Sequence, residues 1–469
     1  MPRGMPDRQA DQLLWAAVGA WILNCIQPAL GMLAQFTLII YCVWRCDVKV
    51  LPTILLCMLT RGNLGLFRSD YMALRLGFTI STGSMFAIAT FFFAIIRLIT
   101  GRYNLKTMTW CFVWLLAFVP ASIMSFTARS NNLVGMWSYP IMDVLIPGIY
   151  FWAISAGNTY LAGKEYLFRR LLVIISIVSI FSIRRVIYIF SFFTFAMMLC
   201  MMFYVLSNKM RGRWKTWAVI GCVCGLFNFI FGRAIALQQS QGYVVEADKY
   251  GSTFSSMGTV VAAVLFAYLI GKRMASKGLF RLLPVAIVAA NVAFVSFVLT
   301  TQEGDEKREV NWQAEEFDER ITAKVFGDRA GVWKIGWEEV KTPPYFIKDL
   351  RSFYVFDPVV GWGMKLLPHN QFITLLAREG FWLGLTLALW IIAIWSRALV
   401  ACYDADKNDP MKRVYLPVGL AVFAVVGVSG QTVVSGDPWS NALVCIIFPG
   451  IAYGDQLLRE KLRLRGYWV

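Results

Sequence analysis

Histidine is almost missing from this chain: of 469 residues only His369 is one. Charge is scarce as well, with Asp, Glu, Lys and Arg at 16% against 58% apolar residues and a mean hydropathy of +0.59. That balance lies far outside the range of soluble globular domains. Period-two alternation is absent, which excludes a membrane β-barrel. There is no Ser-His-Asp arrangement, no P-loop and no metal-ligand spacing, so neither a cofactor nor a metal is expected. The ten cysteines avoid the one long polar stretch and sit in apolar runs or near their ends, where Cys acts as a small hydrophobe. No disulfide is expected from them.

What is present is a series of apolar runs, many of roughly 17–25 residues, the length a helix needs to cross hydrocarbon. Their outer limits are Leu13–Cys25, Ala29–Trp44, Val50–Phe67, Phe78–Leu98, Met108–Phe126, Ser138–Gly157, Leu167–Ile183, Val186–Leu206, Trp217–Leu237, Phe254–Ile270, Leu282–Leu299, Phe372–Trp395, Val414–Val434 and Asn441–Tyr453. The first two are short and the third carries Arg61-Gly62-Asn63, so the expectation is an all-α, polytopic bundle of 12–14 transmembrane helices. Arg3 and Arg8 precede the first run without a small-residue cleavage site, which reads as an uncleaved first span.

Charge placement sets the expected orientation. The links Arg45–Lys49, Gly101–Lys106, Lys164–Arg170, Asn208–Lys215, Lys272–Arg281 and Arg397–Arg413, with the tail Arg459–Arg465, are rich in Lys and Arg and belong on the cytoplasmic side. The stretch Gln302–Pro368 holds 13 Asp+Glu against 10 Lys+Arg, a net −3, while the remainder carries +20, the two together giving the formal +17. Basicity is therefore a topology signal and not a nucleic-acid footprint. The organisation expected is residues 1–301 as N-terminal spans, 302–369 as an extracytoplasmic loop, and 370–469 as C-terminal spans and a cytoplasmic tail.

Within the loop, Glu303–Glu319 reads as a solvated flap. From Arg320 onward Val325, Phe326, Val332, Trp333, Ile335, Trp337 and Val340 have the spacing of an amphipathic helix at the interface, ended by Pro343-Pro344. Gly361-Trp362-Gly363 reads as a flexible turn, and a helix is expected from about Asn370. Gly380 and Gly384 have the small-xxx-small spacing of close helix contacts, and Glu379 would lie about 15 Å deeper than His369 along that helix.

His369 sits at this water–membrane boundary, and histidine is the side chain whose charge changes near neutral pH. A capping or interfacial role is the plain alternative, but ionisable groups at such boundaries favour function. Following the topology backward places Arg184-Arg185 at an outer helix end, against the positive-inside trend. They either snorkel to lipid phosphates or grip a substrate phosphate. Arg329, in Gly327-Asp328-Arg329-Ala330, opens the amphipathic segment. Arginine's planar fork suits phosphate or diphosphate. The topology thus expects Arg184 or Arg185, Arg329 and His369 on one membrane face.

These residues resemble the O-antigen ligase/polymerase family of bacterial polysaccharide-assembly proteins. The likeness rests on Ser182-Ile183-Arg184-Arg185 at the outer end of a span, on Asp328-Arg329 with Trp333, Pro358 and Gly361-Trp362-Gly363, and on His369-Asn370 with Gly380 and Gly384. The His369-(ten residues)-Gly380 spacing is the most specific piece. Together they cover about half the chain, roughly 164–453. Here Ile183 separates Ser182 from the arginines, and Arg184 is the nearer of the two.

The resemblance implies glycosyl transfer outside a bacterial inner membrane, with a multi-pass chain whose termini are cytoplasmic. The donor would be an undecaprenyl-diphosphate-linked glycan. Arg184, Arg185 and Arg329 would bind the diphosphate, and Arg329 and His369 would be catalytic. His369 would be either the general base or a diphosphate ligand. Implied partners are the lipid-linked oligosaccharide, membrane lipids, and flippase and chain-length regulator proteins, with no nucleic acid. Up to fourteen spans favour a polymerase of exopolysaccharide or O-antigen over a ligase acting on lipid A-core. A protein glycosyltransferase is a third reading. A transporter using Arg61, Asp143 and Arg233 is the reading from another class, though no matching half-helix pairs accompany it.

Overall fold

The computed structural model of the chain describes residues 4–59, 74–75, 79–80, 82–100, 138–181, 188–210, 212–239, 248–273, 276–301, 328–343, 345, 354–357, 361–364, 370, 372–373, 376–377, 380–429 and 446–465. Among them the architecture is helical. The N-terminal helices are α1 (Asp7–Ile26), α2 (Pro28–Arg45), α3 (Leu51–Leu59), α4 (Thr82–Ile99), α5 (Ser138–Gly157), α6 (Tyr160–Phe181) and α7 (Tyr188–Ser207). There follow α8 (Arg213–Gln239), α9 (Asp248–Lys272), α10 (Lys277–Thr301), α11 (Asp328–Lys341), α12 (Phe381–Tyr403), α13 (Leu416–Ser429) and α14 (Phe448–Leu464). Two short antiparallel ribbons accompany them: β1 (Leu74–Arg75) with β2 (Thr79–Ile80), and β3 (Tyr354–Asp357) with β4 (Gly361–Met364).

Every apolar run named above overlaps one of these helices except Met108–Phe126, which lies outside the described residues. Pro28–Arg45, Lys277–Phe297 and Gly384–Tyr403 are long and apolar enough to cross a membrane by length and composition. Shorter apolar helical stretches include Met85–Ile99, Leu145–Gly157, Thr194–Ser207 and Gly258–Lys272. Large apolar side chains stand exposed along several helices: Trp15 and Ile26 on α1, Leu30 and Leu33 on α2, Val223 and Ile230 on α8, Leu282, Val292 and Phe297 on α10. Water disfavours so extensive an apolar surface.

Backbone approach is closest between α5 and α14. A Cβ on Gly454 would collide with the Ile154 carbonyl, and one on Gly157 with the backbone of Ile451 and Gly454. Gly450-xxx-Gly454 against α5 is thus a small-xxx-small contact among the described residues. Gly380 has φ +90°, ends the preceding segment, and its carbonyl accepts from Gly384 N–H at 2.9 Å. This corrects the expectation of one helix running from Asn370 through Gly380: residues 372–373 and 376–377 are helical, and α12 begins at Phe381. Glu379, like His369, lies outside the described residues. Gly361-Trp362-Gly363 is corrected too, because it is strand β4, paired with β3 in the register Asp357↔Gly361.

The described basic links collect at one end of the bundle, where carboxylates pair with them, while Gly101–Lys106 lies outside the described residues. Arg170 pairs with Asp11 at 2.6 Å and Tyr166 donates to the same carboxylate at 2.7 Å. Lys49 pairs with Asp7, and Lys277 with Asp404, each at 2.6 Å. The turns here are tight. Cys46, Lys209 and Arg273 all take left-handed φ of 49–52°, uncommon for side-chain-bearing residues. At the centre Asp409, 1% exposed, accepts Tyr160 O–H at 2.5 Å and Met411 N–H at 2.9 Å, with Arg459 at 3.7 Å. Arg459 also holds Asp455 at 2.8 Å. These bonds join the α5–α6 turn, the α12–α13 link and α14.

Two outcomes follow from this end. Asp409→Ala leaves the buried Tyr160 O–H without its acceptor and Arg459 with Asp455 alone, and should cost about 1–3 kcal/mol, whereas Lys277→Ala, on a half-exposed pair, should cost less than about 1 kcal/mol. Melting in detergent tests the ranking, and similar losses would refute it. Burial pushes the Asp455 carboxyl up to about 6, outweighing the pull of Arg459. The folded protein then holds a proton that the unfolded chain has released, so stability falls as pH rises through about 4 to 6. Asp455→Asn lacks this effect, and its melting temperature relative to wild type should rise from about pH 4.5 to pH 7.

Candidate functional site

Helix α10 starts at the basic end and rises away from it. Asn291 stands about 21 Å along its axis from Lys277. It is the one amide in the run Leu282–Leu299 and is buried. On the next turn come Phe294 and Val295. Helix α11 packs against this part of α10, its Trp333 ring edge-on to Phe294 with centroids 5.9 Å apart. Trp333, Val295 and Ile373 form a small buried cluster of their own.

Asn370 reaches the same turn of α10 from the other side. Fully buried, it uses one oxygen to accept Phe372 N–H at 3.0 Å and Ile373 N–H at 3.2 Å, capping the short helical piece. Its nitrogen donates to Asn291 Oδ1 at 3.2 Å. Phe372 then packs edge-on against Phe423 of α13 at 6.2 Å. Beyond α11, the Tyr345 carbonyl accepts Trp382 N–H at 3.1 Å, tying that segment to the first turn of α12. Both aromatic rings are exposed there.

The expected site residues distribute as follows. Arg329 is the second residue of α11, one turn before Trp333, and its side chain lies outside the described residues. His369, the neighbour of Asn370 in sequence, lies outside them, as do Arg184 and Arg185. The residues flanking the two arginines are described: α6 leaves the basic end at Tyr160 and reaches Phe181 about 32 Å away, and α7 starts at Tyr188 and returns to Tyr204, which packs on Phe168. So the described residues flanking all three stretches stand at the end opposite the basic links. Arg61 lies outside the described residues, as do the side chains of Asp143 and Arg233.

Asn291 was not among the candidates read from the sequence. Its only signal there is an amide inside an otherwise apolar run, a costly placement that calls for a partner. Two donors at this junction, Asn291 Nδ2 and Trp333 Nε1, are buried with no partner among the described residues. Each such donor costs about 1–3 kcal/mol while unpaired. Comparison with protein-family models, with curated proteins and with solved structures returns no match for this chain.

The cap is testable. Asn370→Ala should destabilise by about 1 kcal/mol and speed hydrogen exchange at the Phe372 and Ile373 amides, while Asn370→Asp keeps the accepting oxygen and the protection. Unchanged exchange in the alanine variant would remove Asn370 as the cap.

Proposed function

We propose that this chain is a multi-pass bacterial inner-membrane glycosyltransferase that polymerises undecaprenyl-diphosphate-linked repeat units of a surface polysaccharide. In this reading the basic end and both termini are cytoplasmic, and residues 302–369 form the periplasmic loop. Exposed apolar side chains along α1, α2, α8 and α10 support a lipid setting. The observation that carries the reading is the meeting of α11's first turns with Asn370 on one stretch of α10, far from the basic end. Arg329 and His369 belong to those two stretches.

The chemistry is an inverting transfer. A hydroxyl of the acceptor glycan attacks the anomeric carbon, the bond from that carbon to the diphosphate oxygen breaks, and undecaprenyl diphosphate leaves with the electron pair. Arg329 and Arg184 or Arg185 offset the charge growing on the leaving group, stabilisation aimed at the transition state. His369 accepts the hydroxyl proton as general base, or holds the diphosphate by hydrogen bond. The scheme draws on no metal.

His369→Ala and Arg329→Ala should each abolish polymer formation with membrane levels unchanged, and Arg184→Ala and Arg185→Ala should differ in severity. Full activity of either of the first two in a reconstituted assay would defeat the assignment. In a deletion strain, single lipid-linked repeats should accumulate. Long undecaprenyl-linked chains would instead indicate a ligase, and no turnover by purified protein with the correct donor would indicate a transporter.

A further inference from the structure

The orientation of the Asn291 amide is dictated by its neighbours. Asn370 Oδ1 faces two backbone N–H groups, which only donate, so that oxygen cannot be exchanged for the nitrogen. Asn370 Nδ2 therefore faces Asn291 and requires an oxygen from it. Asn291 Nδ2 is left over, a buried donor with its direction fixed. The indole N–H of Trp333, which packs one turn further along α10, is left over in the same way. Asn370 Oδ1 already accepts two bonds and Asn291 Oδ1 accepts one from Asn370, and the two atoms left unpartnered at this junction, Asn291 Nδ2 and Trp333 Nε1, are both donors.

A ligand that matches is one that only accepts. A sugar hydroxyl brings a proton that would need an acceptor of its own, whereas the oxygens of an ionised diphosphate bring none. We propose, resting on the glycosyl-transfer reading, that Asn291 and Trp333 are diphosphate-binding residues: Asn291 Nδ2 and Trp333 Nε1 donate to oxygens of the donor lipid's diphosphate. Asn370 is a positioning residue that turns the Asn291 amide toward it. Neutral donors bind those oxygens without adding to the charge already carried by arginine.

The test uses the full chain in phospholipid nanodiscs, titrated with undecaprenyl diphosphate and, as control, undecaprenol. Wild type should bind the diphosphate and discriminate against the alcohol. Asn291→Asp keeps the oxygen that Asn370 needs and replaces the donor by an acceptor, so binding should weaken about tenfold or more. Trp333→Phe keeps the ring on Phe294 and removes the N–H alone, and should weaken binding about threefold. If Asn291→Asp fails to fold, judged by its ligand-free melting, Trp333→Phe decides alone. Variants that bind undecaprenyl diphosphate as wild type does overturn the proposal while leaving the glycosyltransferase reading intact. Unchanged binding of that probe with a raised KM for the lipid-linked glycan overturns it in favour of a sugar hydroxyl. Wild type that ignores undecaprenyl diphosphate sinks the functional reading itself.

Discussion

Among the described residues, three helices of this chain are long and apolar enough to cross hydrocarbon, where an unpaired charge has no room. Lysines and arginines concentrate in the links, and at the end where the described links gather, few carboxylates must serve many cations. Asp409 and Asp11 answer by accepting from several groups at once, each binding elements far apart in sequence. Tight left-handed turns at Cys46, Lys209 and Arg273 keep the links short enough for those bonds to form. Between the helices themselves lipid provides no hydrophobic drive, so close contact depends on small residues. The glycine face of α14 against α5 is where that shows.

The opposite end is organised by a different chemistry. Its described buried polar residues include two neutral amides, Asn291 and Asn370, joined to each other and to the backbone. Burying a neutral donor costs far less than burying an ion. Amides can therefore be placed inside the bundle on α10, while charge stays at the ends.

Much of the helical layout was legible in the residues because run length and composition speak directly to hydrocarbon thickness. Ser138–Gly157 has the same bounds in sequence and structure. Elsewhere helices outrun their apolar cores into the basic links: α8 starts at Arg213, α10 at Lys277, and α14 continues to Leu464. Long basic side chains can lie along a helix end with their charges in water, so a hydropathy limit understates the helix. The break at Gly380 was invisible to any sum of hydropathies, since it comes from one backbone angle. The β3–β4 pairing and the α5–α14 contact depend on partners distant in sequence, which spacing alone does not reveal. Of the candidate site, Asp328 and Arg329 were read correctly as the opening of a helix, ended by Lys341 before Pro343. Asn291 carried no motif, and only its neighbours in space give it meaning.

That neighbour relation bears on how a single histidine could be placed with catalytic accuracy. Proton transfer to an attacking hydroxyl depends on geometry to within a fraction of an ångström. A side chain at the start of a short helical piece would ordinarily inherit whatever freedom that piece has. Here the residue after His369 is bound to α10 by its nitrogen and to its own helix by its oxygen, and the next ring wedges against α13. What the structure shows beside His369 is Asn370, tied to α10 through Asn291 and to the Phe372 and Ile373 amides.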